Sequence, residues 1–201
     1  MKTLKSNLPR AAVCILVFTL LYGILYTGVI TGISQLFSPD KADGSIIEVD
    51  GKKYGSSLLA QEFTDDAHMW GRVMNVDTGT FTDQDGNPVM YSGPSNLSPA
   101  SPEYQELVAQ RVEKIRAAHP EKGDEAIPSD LVTCSGSGLD PEISLEAAEY
   151  QVKRLAEHND MTEDQVQNII EKCTNHRILG FLGQETVNVL KVNLMLDGIL
   201  K

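Results

Sequence analysis

Between Arg10 and Asp40 the chain carries no charged side chain. Its most apolar part, residues 11–33, has 23 positions. As a helix rising 1.5 Å per residue these cover about 35 Å, enough to cross the hydrocarbon core of a bilayer with some tilt. Lipid offers no partner to open backbone groups, so the segment is predicted to be a transmembrane helix. A cleaved signal peptide would have an apolar region of about 7–15 residues and then a small-x-small cleavage site. This segment is longer, and no such site is clear before Ser38-Pro39, which favours an uncleaved anchor. Lys2, Lys5 and Arg10 precede it, so residues 1–10 are expected in the cytoplasm and everything after about Phe37 outside. Gly28 and Gly32 lie four apart, on a face that a partner helix can approach closely. Spacing alone leaves a plain anchor equally open.

Residues 34–44 read as a linker and residues 45–201 as one extracytoplasmic domain, long enough to bury a core without staples. The chain's net charge is −11, but from Asp40 onward 14 basic side chains face 28 acidic ones, a net −14. Such a surface repels phosphate backbones, which argues against nucleic acid as a partner, and it gathers cations at short range. Asp50-Gly51 between two apolar runs predicts a hairpin of residues 45–49 and 52–54. Gly55 to Phe63 reads as a short helix or turn. Residues 64–101, rich in Gly, Asp, Asn, Pro and Ser, read as loops with a few short strands, Val89-Met90-Tyr91 among them.

Three helices are clearer. Ser101 caps the first, with Pro102 at its first position, and Pro120 ends it. Tyr104, Leu107, Val108, Val112 and Ile115 form its apolar face. A second starts at Asp140-Pro141 or Ser144, with Leu145, Ala148, Val152 and Leu155 on one side. Thr162 and Gln165 have the form of a capping box ahead of a third. A short strand is expected within Ile127–Thr133, another at Thr186–Val189, and a last helix after it. The fold class is therefore one N-terminal transmembrane helix followed by a soluble α/β or α+β domain.

Thr133-Cys134-Ser135-Gly136-Ser137-Gly138-Leu139-Asp140-Pro141 is the most conspicuous candidate for chemistry. Its backbone N–H groups suit an anion. No lysine follows the glycines as in a phosphate-binding P-loop, and Gly136-Ser137-Gly138 is too short for a nucleophile elbow. A plain turn is the simpler reading. Ser95 and Asn96 sit in a second polar loop. Trp70-Gly71-Arg72 holds the only tryptophan, equally an interface anchor or a core residue. The loop residues Ser135, Gly136, Ser137, Gly138 and Asp140, with Ser95, Asn96 and Arg72, are the candidate partner or nucleotide site. No catalytic residue is assigned, and the four histidines form no metal-ligand pair on one helix face. Cys134 and Cys173 fit no zinc spacing, and a bridge or two free thiols both stay open.

Taken in order, several segments resemble the KdpC family, the C subunit of the Kdp potassium-transporting ATPase. After the N-terminal span come Gly55-Ser56, Leu58-Leu59, Gln61 and Phe63, then Trp70-Gly71-Arg72. Ser92-Gly93-Pro94-Ser95-Asn96-Leu97 and Val132 through Asp140 follow, and then Gly183-Gln184, Val187-Asn188-Val189-Leu190 and Asn193 through Asp197. Departures are Val73-Met74 where the family usually has Pro-Ser, Pro94 where it has a second glycine, and Cys134 where it has alanine. The resemblance implies a non-catalytic subunit that works with a potassium-channel-like subunit and a P-type ATPase subunit, with potassium as the transported ion. It also implies a role in assembly and as a catalytic chaperone raising the ATP affinity of the ATPase subunit. The expected topology puts the domain away from cytoplasmic ATP, so any ATP effect would act through the ATPase subunit. The competing expectations are a membrane-anchored extracytoplasmic sensor or ligand-binding domain, and a serine hydrolase using Ser135, Ser137 or Ser95.

Overall fold

The structure is a computed structural model that describes residues 2–201, with side chains described from Asn7 onward. The side chains of Lys2 and Lys5, on which the orientation of residues 1–10 partly rests, lie outside the described residues. The chain divides into two compact units, Met1–Ile46 and Ile47–Lys201.

In the first unit, helix α1 (Lys2–Phe18) passes into a π-helical stretch (Thr19–Tyr26) and then α2 (Thr27–Phe37). Asn7–Phe37, 31 residues, is long and apolar enough to cross a membrane. The helix runs past Ile33 because Ser34, Gln35, Leu36 and Phe37 contain no breaker. Pro39 then forces Ser38 out of helical geometry, at φ −154 and ψ 60. A short helix, α3 (Pro39–Ala42), occupies part of the segment read as linker. In the π stretch the Thr27 hydroxyl donates to the Tyr22 carbonyl at 2.9 Å. Such widened turns are rare within α-helices and are frequent at functional sites. A Cβ added at Gly28 or Gly32 would meet nothing within 4 Å, so both leave α2 open to close approach.

The second unit combines small sheets with helices. Strands β1 (Ile46–Val49) and β2 (Lys52–Ser56) form the expected hairpin. Asp50 at φ 51 and Gly51 at φ 77 supply the paired left-handed residues that a two-residue turn matched to strand twist requires. Strand β2 is followed by a turn and irregular chain where a short helix or turn was expected. Strands β3 (Val76–Thr82) and β4 (Pro88–Ser92) form a second, antiparallel hairpin, with Phe81 opposite Val89.

Helix α4 (Pro102–Ala118) is capped by Ser101, whose hydroxyl accepts from the Tyr104 N–H, and it buries Ile115. The strand expected within 127–133 is instead a single 3₁₀ turn at Ser129–Leu131. Its backbone bonds locally: the N–H and the hydroxyl of Thr133 both donate to the Ser129 carbonyl, at 2.9 and 2.8 Å.

The third sheet has the order β5-β7-β6 and is antiparallel. Its strands are β5 (Glu142–Ser144), β6 (Thr174–Asn175) and β7 (Thr186–Asn188). Ser144 caps α5 (Leu145–Tyr150), which breaks at Gln151 and resumes as α6 (Val152–His158). Thr162 and Gln165 form both halves of the capping box of α7 (Glu163–Lys172). Helix α8 (Val189–Leu196) is buried on most sides, which explains why its sequence is apolar beyond a single stripe. The core gathers Leu155 of α6, Val166 of α7, Val187 of β7 and Val192 of α8, each with no exposed surface. Full burial of each such side chain contributes roughly 1.5–3 kcal/mol. Cys134 and Cys173 are both free thiols. Burial pushes the Cys173 thiol up to about 11, and its sulfur lies 3.5 Å from that of Met195.

Candidate functional site

Residues 66–70 belong to no sheet, so side chains must satisfy their backbone. Asn193 of α8, wholly buried, accepts from the Met69 N–H at 2.7 Å and donates to the Met69 carbonyl at 3.0 Å. Gln151, at the α5–α6 break, does the same for Trp70 at 2.8 and 2.9 Å. The Arg154 guanidinium, 2% exposed, donates to the carbonyls of Asp66 and His68, to Gln151 Oε1 and to His119 Nε2. Trp70 is therefore a core residue. Its indole N–H donates to the Asp65 carbonyl, with Lys114 Nζ 4.8 Å and Arg154 4.6 Å from its ring.

This clamp fixes the next residues. Arg72 leaves the core and pairs with Asp130 and, at 3.7 Å, with Asp140. Asp130 also accepts from the Ser144 N–H at 2.7 Å. Partial burial pushes its carboxyl up, but the bonds from Ser144 and the charge of Arg72 outweigh that and hold it below the ordinary carboxylate value. Val73 then pairs with Cys134, and the Asn75 N–H donates to the Gly138 carbonyl at 3.0 Å. Asn75 Nδ2 donates to the carbonyls of Gly93 and Pro94 at 2.9 and 3.2 Å. The three segments read separately in the sequence thus meet at Gly138, where a Cβ would lie 2.5 Å from the Gly93 carbonyl oxygen.

Inside the loop, the Gly138 N–H donates to Ser135 Oγ at 3.1 Å and the Leu139 N–H to Ser137 Oγ at 3.2 Å. The two hydroxyls are 3.1 Å apart. The loop's own serines therefore occupy two of the amides that an anion would use. Gly136 is exposed and open, with nothing within 4 Å of an added Cβ. Ser95 Oγ accepts from the Leu97 N–H, and Asn96 sits at φ 55 on the surface. The two loops join through Asn75, which bonds both Gly93 and Gly138.

Beside Arg72 a polar cleft of about 610 Å³ is lined by Asp130, Asp140, Glu142, Arg177 and Glu185. Glu142 accepts from Asn175 Nδ2 and Thr186 Oγ1, each at 2.5 Å. Among the described residues, no group of three or more His, Cys, Asp or Glu is placed to hold a metal ion. Asp130, Asn75, Gln151 and Arg154 escaped the sequence reading, and Asn193 entered it only as part of the family resemblance. A polar residue on an otherwise apolar stripe was the available signal for Gln151, which lies between Ala148 and Leu155 on the buried side of the helix pair. Nothing comparable marks Asn75.

The histidines act within the structure. His119 Nδ1 donates to the Ile115 carbonyl at 2.8 Å, so Nε2 is free to accept from Arg154. Burial, together with the nearby Arg154 charge, lowers the His119 pKa below its ordinary 6.5. Its contribution to stability is complete above pH 6.5 and declines as the pH falls toward the folded-state value. His68 acts in the opposite sense: partial burial lowers its pKa, but bonds to Asp65 and Asp197 raise it overall above 6.5. Its contribution is complete below 6.5 and is lost as the pH rises through the folded value. Urea unfolding at pH 7.5 and 5.5 is expected to show His119→Gln less stable than the parent at pH 7.5, yet losing less on acidification. His68→Asn is expected to lose more than the parent over the same interval.

One helix long and apolar enough to cross a membrane, followed by an α+β domain whose loop residues are tied into internal bonds, fits the class of membrane-anchored proteins. Residues 8–198 match the family model described as "KdpC: K+-transporting ATPase, c chain". The chain belongs to the KdpC family, the C subunits of potassium-transporting ATPases. It is 58% identical over 201 residues to the potassium-transporting ATPase KdpC subunit of Clostridium botulinum (strain Alaska E43), covering all of both chains. Identity to the same subunit of Clostridium perfringens (strain ATCC 13124) is 56% over 192 residues, covering 96% of this chain and 97% of the relative. For that of Sorangium cellulosum it is 43% over 197 residues, with 96% and 98% covered.

Proposed function

We propose that this chain is the non-catalytic accessory subunit of an ATP-driven potassium importer, with its domain outside the cytoplasm, covering the potassium entrance of a channel-like subunit. The supporting observation is the charge division: three basic residues before the span and a net −14 from Asp40 onward. The first sets the orientation, and the second makes a cation-gathering surface on the side where potassium enters. The span contributes a helix face, at Gly28 and Gly32, for packing against a neighbouring membrane helix.

The ATP effect expected of the family is read here as indirect, transmitted through the span to the P-type ATPase subunit. Ser135 and Ser137 already occupy the Gly138 and Leu139 amides, and no lysine stands beside them, so the loop reads as a brace between segments. The hydrolase reading is also disfavoured, since Ser135 and Ser137 bond each other and the loop rather than a histidine. The polar cleft beside Arg72 favours the ligand-binding alternative.

Affinity purification of the tagged chain from membranes is expected to recover a P-type ATPase and a channel-like protein in fixed ratio. Recovery of the chain alone, folded and binding a small molecule, would support the sensor instead. Protease added to intact spheroplasts is expected to remove the domain, and full protection would reverse the topology. Converting the exposed acids Glu121, Asp124 and Glu125 to amides is expected to weaken apparent potassium affinity by roughly twofold to threefold at low salt and less at high salt. Unchanged affinity would remove the cation-gathering role and leave the structural one.

A further inference from the structure

The connection between β6 and β7 ends in a tip whose large side chains point into solvent. Ile178 and Leu182 close it as an antiparallel bridge, with N–H to carbonyl bonds of 2.9 and 3.0 Å in the two directions. Between them stand Leu179, Gly180 and Phe181. The exposures are 70% for Ile178, 80% for Leu179, 69% for Phe181 and 49% for Leu182. Leu179 sits at φ 56 and Gly180 at φ 81. Leu179 and Gly180, both at positive φ, supply the left-handed pair that turns the chain between the bridged residues. Large apolar side chains are exposed elsewhere in the domain too, Leu58, Leu59 and Met90 among them, but the three most exposed ones, Ile178, Leu179 and Phe181, stand together at this tip.

We propose that this tip, Ile178–Leu182, inserts into the bilayer surface and docks the domain on lipid as a second membrane contact, independent of the span. The inference rests on reading the N-terminal helix as a membrane span. Only nine residues, Ser38–Ile46, separate the end of α2 from the start of the second unit. Even fully extended they reach about 30 Å. The bilayer is then an apolar phase held close to the domain, at an effective concentration that a free protein partner does not match. The tip has the form lipid insertion needs, a protruding wedge rather than a flat patch or a groove. Arg177, the residue before the tip, lines the polar cleft beside Arg72 and adds a cation at the tip's base on a domain that otherwise carries a strong negative charge.

The test uses the full chain reconstituted into phosphatidylcholine vesicles, with and without bromine on the acyl chains. Trp70, 7% exposed within the domain, serves as the constant background. Phe181→Trp and, separately, Leu179→Trp each add a reporter at an exposed position. Gln110→Trp, on the exposed side of α4, is the control. The expected result is blue-shifted emission from the tip reporters and roughly twofold quenching of their added signal by brominated lipid, with Gln110→Trp unaffected. Tip reporters that emit as water-exposed indole and resist quenching, in chains that still float with the vesicles, would overturn the proposal and assign the tip to a protein partner. Equal quenching at position 110 would also overturn it, because the whole domain would then lie against lipid. Chains that fail to float would remove the span reading itself.

Discussion

Alanine at Gly138 is expected to destabilise the domain by about 3–5 kcal/mol, beyond the range of most single substitutions. The residue sits at φ +70, where a Cβ alone costs roughly 1–2 kcal/mol. That Cβ would also lie 2.5 Å from the Gly93 oxygen, 2.7 Å from the Asn75 oxygen and 2.9 Å from the Gly93 nitrogen. All three are backbone atoms, so no side chain can swing aside. Relief requires the loop to retreat, which breaks the 3.0 Å bond from Asn75 to the Gly138 carbonyl and frees segment 93–94. Urea unfolding followed by Trp70 fluorescence measures the loss. Gly136→Ala, two residues away with open space around it, is expected to change stability by less than about 0.5 kcal/mol. A Gly138→Ala variant within about 1 kcal/mol of the parent, an ordinary single-substitution effect, would contradict the crossing described here. Recovery of partner subunits with Gly138→Ala is expected to fall along with stability, since three loops lose their common support.

Arg154→Met is expected to cost a comparable 3–5 kcal/mol. Methionine matches the aliphatic stem of arginine and ends near Nε, so the change removes the guanidinium and its donors. It leaves the part-buried carbonyls of Asp66 and His68 and the buried acceptor Nε2 of His119 without the guanidinium that meets them at present. Each buried acceptor left unmet costs about 1–3 kcal/mol. Burial lowers the Arg154 pKa to about 10, partly offset by Asp66, Asp65 and Glu121, so the group stays charged at neutral pH. Lysine is expected to rescue little, because an ammonium cannot reproduce bonds from Nε and both terminal nitrogens at once. Thermal unfolding of Arg154→Met, Arg154→Lys and the exposed neighbour Lys153→Met separates these cases. Near-parental stability of Arg154→Lys would mean that charge alone, not the fork geometry, holds residues 66–70.

The elements read correctly from sequence share one property: their signals lie within a few residues of one another. Ser101-Pro102 before an apolar stripe, Thr162 with Gln165, and Asp50-Gly51 between strands each concern adjacent backbone groups, and the structure contains all three. Residues 127–133 show the limit. An apolar run flanked by turn residues is compatible with a strand, but a strand needs a neighbour, and Thr133 bonds back to Ser129 instead. The break at Gln151 was equally hidden, because the stripe Leu145, Ala148, Val152, Leu155 continues across it. At the candidate site, the sequence singled out Arg72, Asp140 and the Ser135–Gly138 loop. It did not show that Arg72 and Asp140 pair, or that Asp130 is the closer partner.

The amino-acid order alone settled the apolar helix, the asymmetric charge, the helix caps and the family to which the chain belongs. Each is a property of local composition or of motifs in a given order. Tertiary structure alone decided that Trp70 is a core residue, that Gly138 is where three loops cross, and that Ile178–Leu182 stand exposed. Those outcomes depend on bonds between residues far apart in the chain: Met69 with Asn193 across 124 positions, Trp70 with Gln151 across 81, and Asn188 with Ser57 across 131. A buried backbone group must find a partner wherever the fold brings one, and neither periodicity nor spacing encodes which side chain that will be.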